Sequence, residues 1–597
     1  MEFEQKAEEK KMSMSKNIAR LAVTAGLTAA LSFGGVMAPV TMAFAECVPT
    51  VATENGKVFI TDPDTEYTDT SFKGIQIFKA TVTQNKDGNT WSGDKTLSDI
   101  DWASLEVQKA VIGAFTRADG TRVDGAPRTD TSAQAWAKYI NDHAGDKVGQ
   151  TAKVDADSTL DKIAAALEGS NLTWTKPSDS SKGNFESLDQ GYWLFVTDVP
   201  SKTGNTDAYT SPIFTIVGGS DVNVAPKKSV PNVTKAVKDD NNGSFVTDES
   251  KNVFEAPNRV ADSASDQLIE YQLAGTVASN INTYKEYSYT FTDVLPSTMV
   301  PELVNDKPVV KVKIGDKTVE PKYYDAQYNT AKNELVVSFG NLKKEIKTDK
   351  DEVITVSGSS KIYVNYKAKL DPTKKVKADM LGKGQKNTVT LTYSNNPHST
   401  ETGTTVVHPA YDYTYGIDVT KVGDEETPKK LSGVVFKLQE KNGGTVEDEY
   451  IDANGVKQAN AENAKLTTTE DGKISVIGLD EGTYVLTEVT PAPGYDNSHG
   501  NKGITFTITR GTLSESDATV VNPAVAVTDG DNTGLVKAEN STDGMVHLTV
   551  TDKKGSGLPL TGLNGVTFTW IAGGAVLVIG VAHLIRSRKQ AEESEQE

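Results

Sequence analysis

From residue 227 to residue 557 the chain is a succession of short runs rich in Val, Ile, Thr and Tyr, separated by turn residues. KPVVKVKIG, NELVVSFG, KIYVNYKAKL and NTVTLTYSN lie in the first half of this stretch; GVVFKLQEK, KISVIG, GTYVLTEV, GITFTITR and MVHLTVTD lie in the second. β-Branched and aromatic residues suit a pleated, half-buried surface, and strands this short bury an apolar face by stacking one sheet on another. The pattern therefore predicts a mainly β chain built of tandem β-sandwich domains. An internal echo divides the stretch: Val233-Thr234-Lys235 and Val419-Thr420-Lys421 each put a lysine in an opening strand, giving domains at 227–410 and 411–557.

Residues 46–226 read differently. GIQIFKATV, GYWLFVTDV and SPIFTIV suggest a sheet, but three amphipathic helices interrupt it. After Ser132, residues Ala133, Trp136, Ala137 and Ile140 fall at helical spacing, and Gly145 can end the turn. After Ser158, Leu160, Ile163, Ala164 and Leu167 repeat the pattern, with Asp161 placed for a capping box. SLEVQKAVIGAF at 104–115 is the third. These stripes are expected to pack against the sheet.

The two ends address the chain to the cell surface. Lys16 and Arg20 precede an apolar stretch that closes in Ala43-Phe44-Ala45, so residues 1–45 read as a signal peptide, with Met12 or Met14 as alternative starts. Exported chains are free to form disulfides, yet Cys47 is the sole cysteine and can make no internal bridge. Glu46 before it departs from a lipoprotein box. A net charge of −19 argues against nucleic acid, whose phosphates need a basic face. Six scattered histidines (143, 398, 408, 499, 547 and 583), no Cys–His pair and no nucleophile-elbow motif argue against an anchored enzyme. No metal or cofactor is expected; the acidic turn KDDNNGS lacks the ligand spacing of a calcium loop.

At the other end, Leu558, Pro559, Leu560, Thr561 and Gly562 are followed by the apolar run VTFTWIAGGAVLVIGVAHLI and then RSRK. The run is long enough to span a bilayer, and the basic tail should stay cytoplasmic. Motif, span and tail at 558–597 together resemble the cell-wall sorting signal of Gram-positive surface proteins. The resemblance implies cleavage by a sortase between Thr561 and Gly562, passage of the threonyl acyl group to an amine, and a membrane anchor that is only temporary.

Three more resemblances identify that amine and add a second kind of bond. Residues 411–557, from YGIDVTKV through LSGVVFKL and YVLTEVTPAPGY to VTDKKG, resemble the collagen-adhesin B-type domain of Gram-positive pilins. This implies an immunoglobulin-like sandwich in which Lys421 attacks Asp552 with Glu488 as the catalytic acid. The family's usual electrophile is asparagine; aspartate here changes the leaving group from ammonia to water. KEYSYTFTDVLPSTM and GQKNTVTLTYSNNP resemble the strands of the pilin middle domain that carry its catalytic aspartate and closing asparagine. They point to Asp293 and Asn387, with Lys235 as partner and Asn395 or Asn396 as other acceptors. VNVAPKK resembles the pilin motif, with Ala225 in place of its tyrosine, and makes Lys227 the intersubunit lysine with Lys228 as the fallback.

The chemistry of such bonds follows from burial. An amine attacks only when neutral, and desolvation favours that form; the same apolar surroundings keep a carboxyl protonated, so that it can hydrogen-bond the carbonyl under attack. The expected function is a sortase-assembled shaft pilin, a structural subunit polymerised through Thr561 and Lys227 and supporting adhesion. Its expected partners are identical subunits, a class C-type sortase, a housekeeping sortase with peptidoglycan, tip and minor pilins, and a host surface ligand. The alternative is a monomeric wall-anchored adhesin or tip pilin.

Overall fold

The computed structural model describes residues 48–555 except 124, 146, 149–150, 153, 179–180, 239–244, 246–257, 266, 372–380, 497–499, 511–523, 529–533 and 541–543. The signal segment, Cys47, the LPLTG motif with Thr561, the apolar run, the basic tail and most of the KDDNNGS turn lie outside the described residues. Among the described residues no helix is long and apolar enough to cross a membrane.

Among the described residues the chain is mainly β, with three α-helices, all in its first segment. These are α1 (Leu105–Ala114), α2 (Ala133–Asp142) and α3 (Thr159–Glu168). Each starts at a serine whose hydroxyl accepts an otherwise orphaned amide: Ser104 from Val107 at 3.2 Å, Ser132 from Ala135 at 3.3 Å and Ser158 from Asp161 at 3.2 Å. Asp161 departs from the expected capping box, because its Oδ2 accepts from the Asp157 amide at 2.8 Å rather than from that of Ser158. Trp136 and Ile140 of α2 and Ile163 and Leu167 of α3 bury against a sheet of β1 (Ser71–Asp87), β2 (Gly191–Val199) and β3 (Ile213–Val217). Each fully buried side chain of this size contributes about 1.5–3 kcal/mol. Phe72, Phe195 and Val217 cover the other face, against a second sheet that contains β4 (Val222–Val224). Burial on both faces explains why GYWLFV in β2 is continuously apolar instead of alternating.

The middle domain is a sandwich. One sheet contains β5 (Val233–Lys238) and β6 (Ile269–Thr276), with β8 (Lys361–Leu370) beside β6; the other contains β7 (Tyr289–Val294), β9 (Gln385–Ser394) and β10 (His408–Tyr413). Inward residues such as Val237, Leu273, Phe291, Val364 and Leu391 form one core between them. The expected division at 410/411 falls inside β10. Ala410 belongs to this core while Tyr411 and Tyr413 belong to the next, so one strand serves both domains.

In the third domain, β11 (Tyr415–Gly423) lies between β13 (Lys473–Leu479) and β15 (Met545–Lys554), facing a sheet that contains β12 (Val435–Asn442) and β14 (Gly482–Thr490). The pairing of β11 with β15 is parallel, so the strands that open and close the domain run side by side.

Two buried lysine sites and a junction lysine

In the middle domain the lysine and its partners come from opposite sheets. Lys235 points inward from β5, and Asp293 of β7 and Asn387 of β9 face it across the sandwich; Lys235 is 1% exposed and both partners 0%. Asp293 pairs with Val389, two residues from Asn387, which puts the two polar side chains diagonally on one face. Lys235 Nζ contacts Asp293 Oδ2 directly. The Tyr366 hydroxyl of β8 joins the set: it accepts from Lys235 at 3.0 Å and from Asn387 Nδ2 at 2.8 Å, and donates to Asp293 Oδ1 at 2.9 Å. Asn387 Oδ1 is buried with no hydrogen-bond partner among the described residues.

Burial pushes the Lys235 amine down to about 8, with Asp293 opposing. Burial likewise pushes the Asp293 carboxyl up against the pull of Lys235 and Tyr366. Tyr271 and Tyr366 stack at 5.3 Å and wall the amine, whose nitrogen lies 5.1 and 5.4 Å from their ring centres. No motif in the sequence marks Tyr366. Its inward place in the alternation of KIYVNYKAKL signals burial, but nothing local reports that its hydroxyl reaches three polar groups.

The third domain arranges the same ingredients differently. Lys421 pairs with Val550 across the β11–β15 ladder, so Asp552, two residues on, shares its face. Glu488 reaches in from β14 on the opposite sheet. Lys421 Nζ touches Asp552 Oδ1 and lies 3.0 Å from Glu488 Oε2. The three residues are at most 2% exposed. Burial raises the Glu488 carboxyl to about 7, Lys421 opposing and Asp552 reinforcing, and burial also raises that of Asp552. Gly500 closes over the acid: a Cβ there would sit 2.6 Å from Glu488 Oε2.

The two junction lysines have opposite fates. Lys227 is exposed, and its carbonyl is held by the Ser211 amide at 2.8 Å and the Thr210 hydroxyl at 3.3 Å. Lys228 turns inward between Asp62 and Asp207, with its side chain 6% exposed. Asn395 and Asn396 are turned elsewhere, Asn395 donating to the Asp207 carbonyl and Asn396 to Glu401, each at 3.1 Å. Next to them His398, from the middle domain, contacts Asp161 at 2.8 Å and Glu168, both on α3.

Residues 416–523 match the family model of the SpaA domain, described as a prealbumin-like fold. The class that fold and sites define is therefore a multi-domain β-sandwich protein with such a domain near its C-terminal end. No curated protein matches the chain. Among solved structures, the T6 backbone pilin of serotype M6 Streptococcus pyogenes is similar at 14% identity and TM-score 0.47, covering 84% of this chain and 98% of that one. The full-length major pilin SpaD of Corynebacterium diphtheriae is 15% identical with TM-score 0.43, covering 84% and 98%. BcpA, the major pilin subunit of Bacillus cereus, is 13% identical with TM-score 0.37, covering 84% and 99%.

Proposed function

We propose that the chain is a shaft subunit of a covalently polymerised surface pilus, strengthened by amide bonds that its own domains form. The observation that carries this reading is the pair of buried lysine–acid–acceptor sets, each linking a domain's opening strand to a closing one. In the middle domain the neutral Lys235 amine attacks the Asn387 carboxamide carbon. Protonated Asp293 hydrogen-bonds the carbonyl oxygen, a proton passes from the new amide nitrogen to the leaving group, and ammonia departs. In the third domain Lys421 attacks protonated Asp552 with Glu488 as the acid, and water departs. Holding the reacting groups in contact supplies the effective concentration of an intramolecular reaction.

The load path supports the same reading. With Thr561 of one subunit joined to Lys227 of the next, tension enters at Lys227 and leaves at the C-terminal end. Both lysine sites lie on that path, and the helix-bearing first domain lies off it. Exposure of Lys227 and burial of Lys228 favour Lys227 as the acceptor amine. Co-expression with a pilin-type sortase should give a ladder that survives boiling in detergent, and Lys227→Ala should abolish it. A single wall-linked species with no ladder would instead favour the monomeric adhesin, and a ladder that persists in Lys227→Ala would move the junction elsewhere.

A further inference from the structure

A third cluster of similar composition lies outside both sites. Lys228 Nζ contacts Asp62 Oδ2 and lies 2.6 Å from Asp207 Oδ2, and it sits 4.3 Å from the centre of the Tyr67 ring. The Asp207 side chain is 0% exposed and that of Asp62, at the rim, 13%. Like Lys421, whose nitrogen lies 5.8 Å from the centre of the Phe436 ring, Lys228 is thus a sequestered amine touching two carboxyl groups beside an aromatic ring. The Asp207 carboxyl is also furnished with donors: the Ala208 amide at 2.8 Å from Oδ1 and the Thr70 hydroxyl on Oδ2. Thr70 is itself held by the Ser201 amide at 3.0 Å. Donors fixed in this way stabilise the charge that develops on a carboxyl oxygen when a nucleophile adds to its carbon. Burial pushes the Asp207 carboxyl up, with Lys228 and Thr70 opposing.

We propose that Lys228 condenses with Asp207 to form a third side-chain amide, with Asp62 carrying the proton. The Lys228 nitrogen adds through its lone pair to Cγ of protonated Asp207. The new C–N bond forms, Asp62 accepts a proton from the nitrogen and returns it to the hydroxyl, and the C–OH bond breaks with loss of water. No oxidant or further reactant is needed, and the partly exposed rim at Asp62 lets water leave. The bond joins residues 21 apart and would pin the Asp207 loop to the residue that follows Lys227. That loop already docks on the middle domain, through the Tyr209 amide to the Asn395 carbonyl at 2.7 Å and the Tyr393 hydroxyl to the Thr206 carbonyl. The tie would therefore hold the first domain to the loaded chain beside the junction. It does not depend on sortase linkage at Lys227.

Peptide mapping of the purified chain after denaturation and trypsin digestion tests this. The expected product is a branched peptide in which the segment with Asp207 is joined through Lys228 to the segment that also carries Lys235 and its Asn387 partner, one further water lighter, with no cut after Lys228. A main product that begins at Ser229, branched at Lys235 or not, would overturn the proposal, since trypsin does not cut after an acylated lysine. An amide from Lys228 to Asp62 would overturn the assignment of Asp207. Asp62→Asn should retain this water while the condensations at Lys235 and Lys421 proceed; full condensation at Lys228 in that variant would overturn the role of Asp62.

Discussion

Replacing Glu488 with glutamine removes the proposed acid of the third domain while keeping its shape and leaving Lys421 and Asp552 in place. The expected result is a chain one water heavier at that site than the reacted protein. The stability change follows from the loop the bond closes. Lys421 and Asp552 are 131 residues apart, and in the chain-entropy account a cross-link over that span is worth about 5 kcal/mol. For a domain of roughly 150 residues, 1 kcal/mol moves Tm by about 2–4 °C, so the third-domain transition should fall by roughly 10–20 °C. Intact mass and calorimetry on the same sample separate the two halves of the reasoning. If Glu488→Gln loses its water as completely as the parent, the acid role is refuted. If it keeps the water and melts unchanged, the loop argument is refuted.

Three further outcomes are expected. Tyr366→Phe deletes the hydroxyl that touches Lys235, Asp293 and Asn387, and should slow loss of ammonia roughly tenfold, the rate equivalent of about 1.4 kcal/mol, as followed by mass against time after refolding. Gly500→Ala puts a methyl group 2.9 Å from the Glu488 Cβ, so the acid must shift and water loss at Lys421 should slow; an unchanged rate would show that the glycine is not needed. The third concerns pH. Desolvation lowers the His398 pKa, but Asp161 and Glu168 outweigh it and raise the folded value from 6.5 to about 9. A raised cationic group stabilises fully below its unfolded pKa and ceases to do so as pH climbs through its folded one. The contact between α3 and the middle domain should therefore hold at pH 6 and weaken through about pH 9, by on the order of 3 kcal/mol. Hydrogen exchange of α3 should show that pH dependence in the parent chain and lose it in His398→Ala.

Much of the fold is local in origin and so is readable along the chain. GYWLFVTDV and KIYVNYKAKL coincide with β2 and β8 because their composition already suits a pleated, buried surface. The three helices begin at Ser104, Ser132 and Ser158 because an N-cap satisfies amides within its own first turn. Glu488 stands out by itself, since a charge at an inward position of an apolar alternation requires a partner. Lys235 and Lys421 are marked only by the Val-Thr-Lys echo, and Asp293 by the resemblance of its strand to the pilin middle domain.

Which partner, and from which sheet, is a matter of residues far apart in sequence. Only the packed sandwich places Tyr366 among Lys235, Asp293 and Asn387, or sets Asp552 beside Lys421 while Glu488 reaches across. The same holds where α3 meets His398, 237 residues away from Asp161. The motif resemblance ranks Lys227 before Lys228, but in a segment with no alternation nothing local says which of the two adjacent lysines is buried. Folding separates them, because Asp62 and Asp207 arrive from other loops to draw Lys228 inward and leave Lys227 in water.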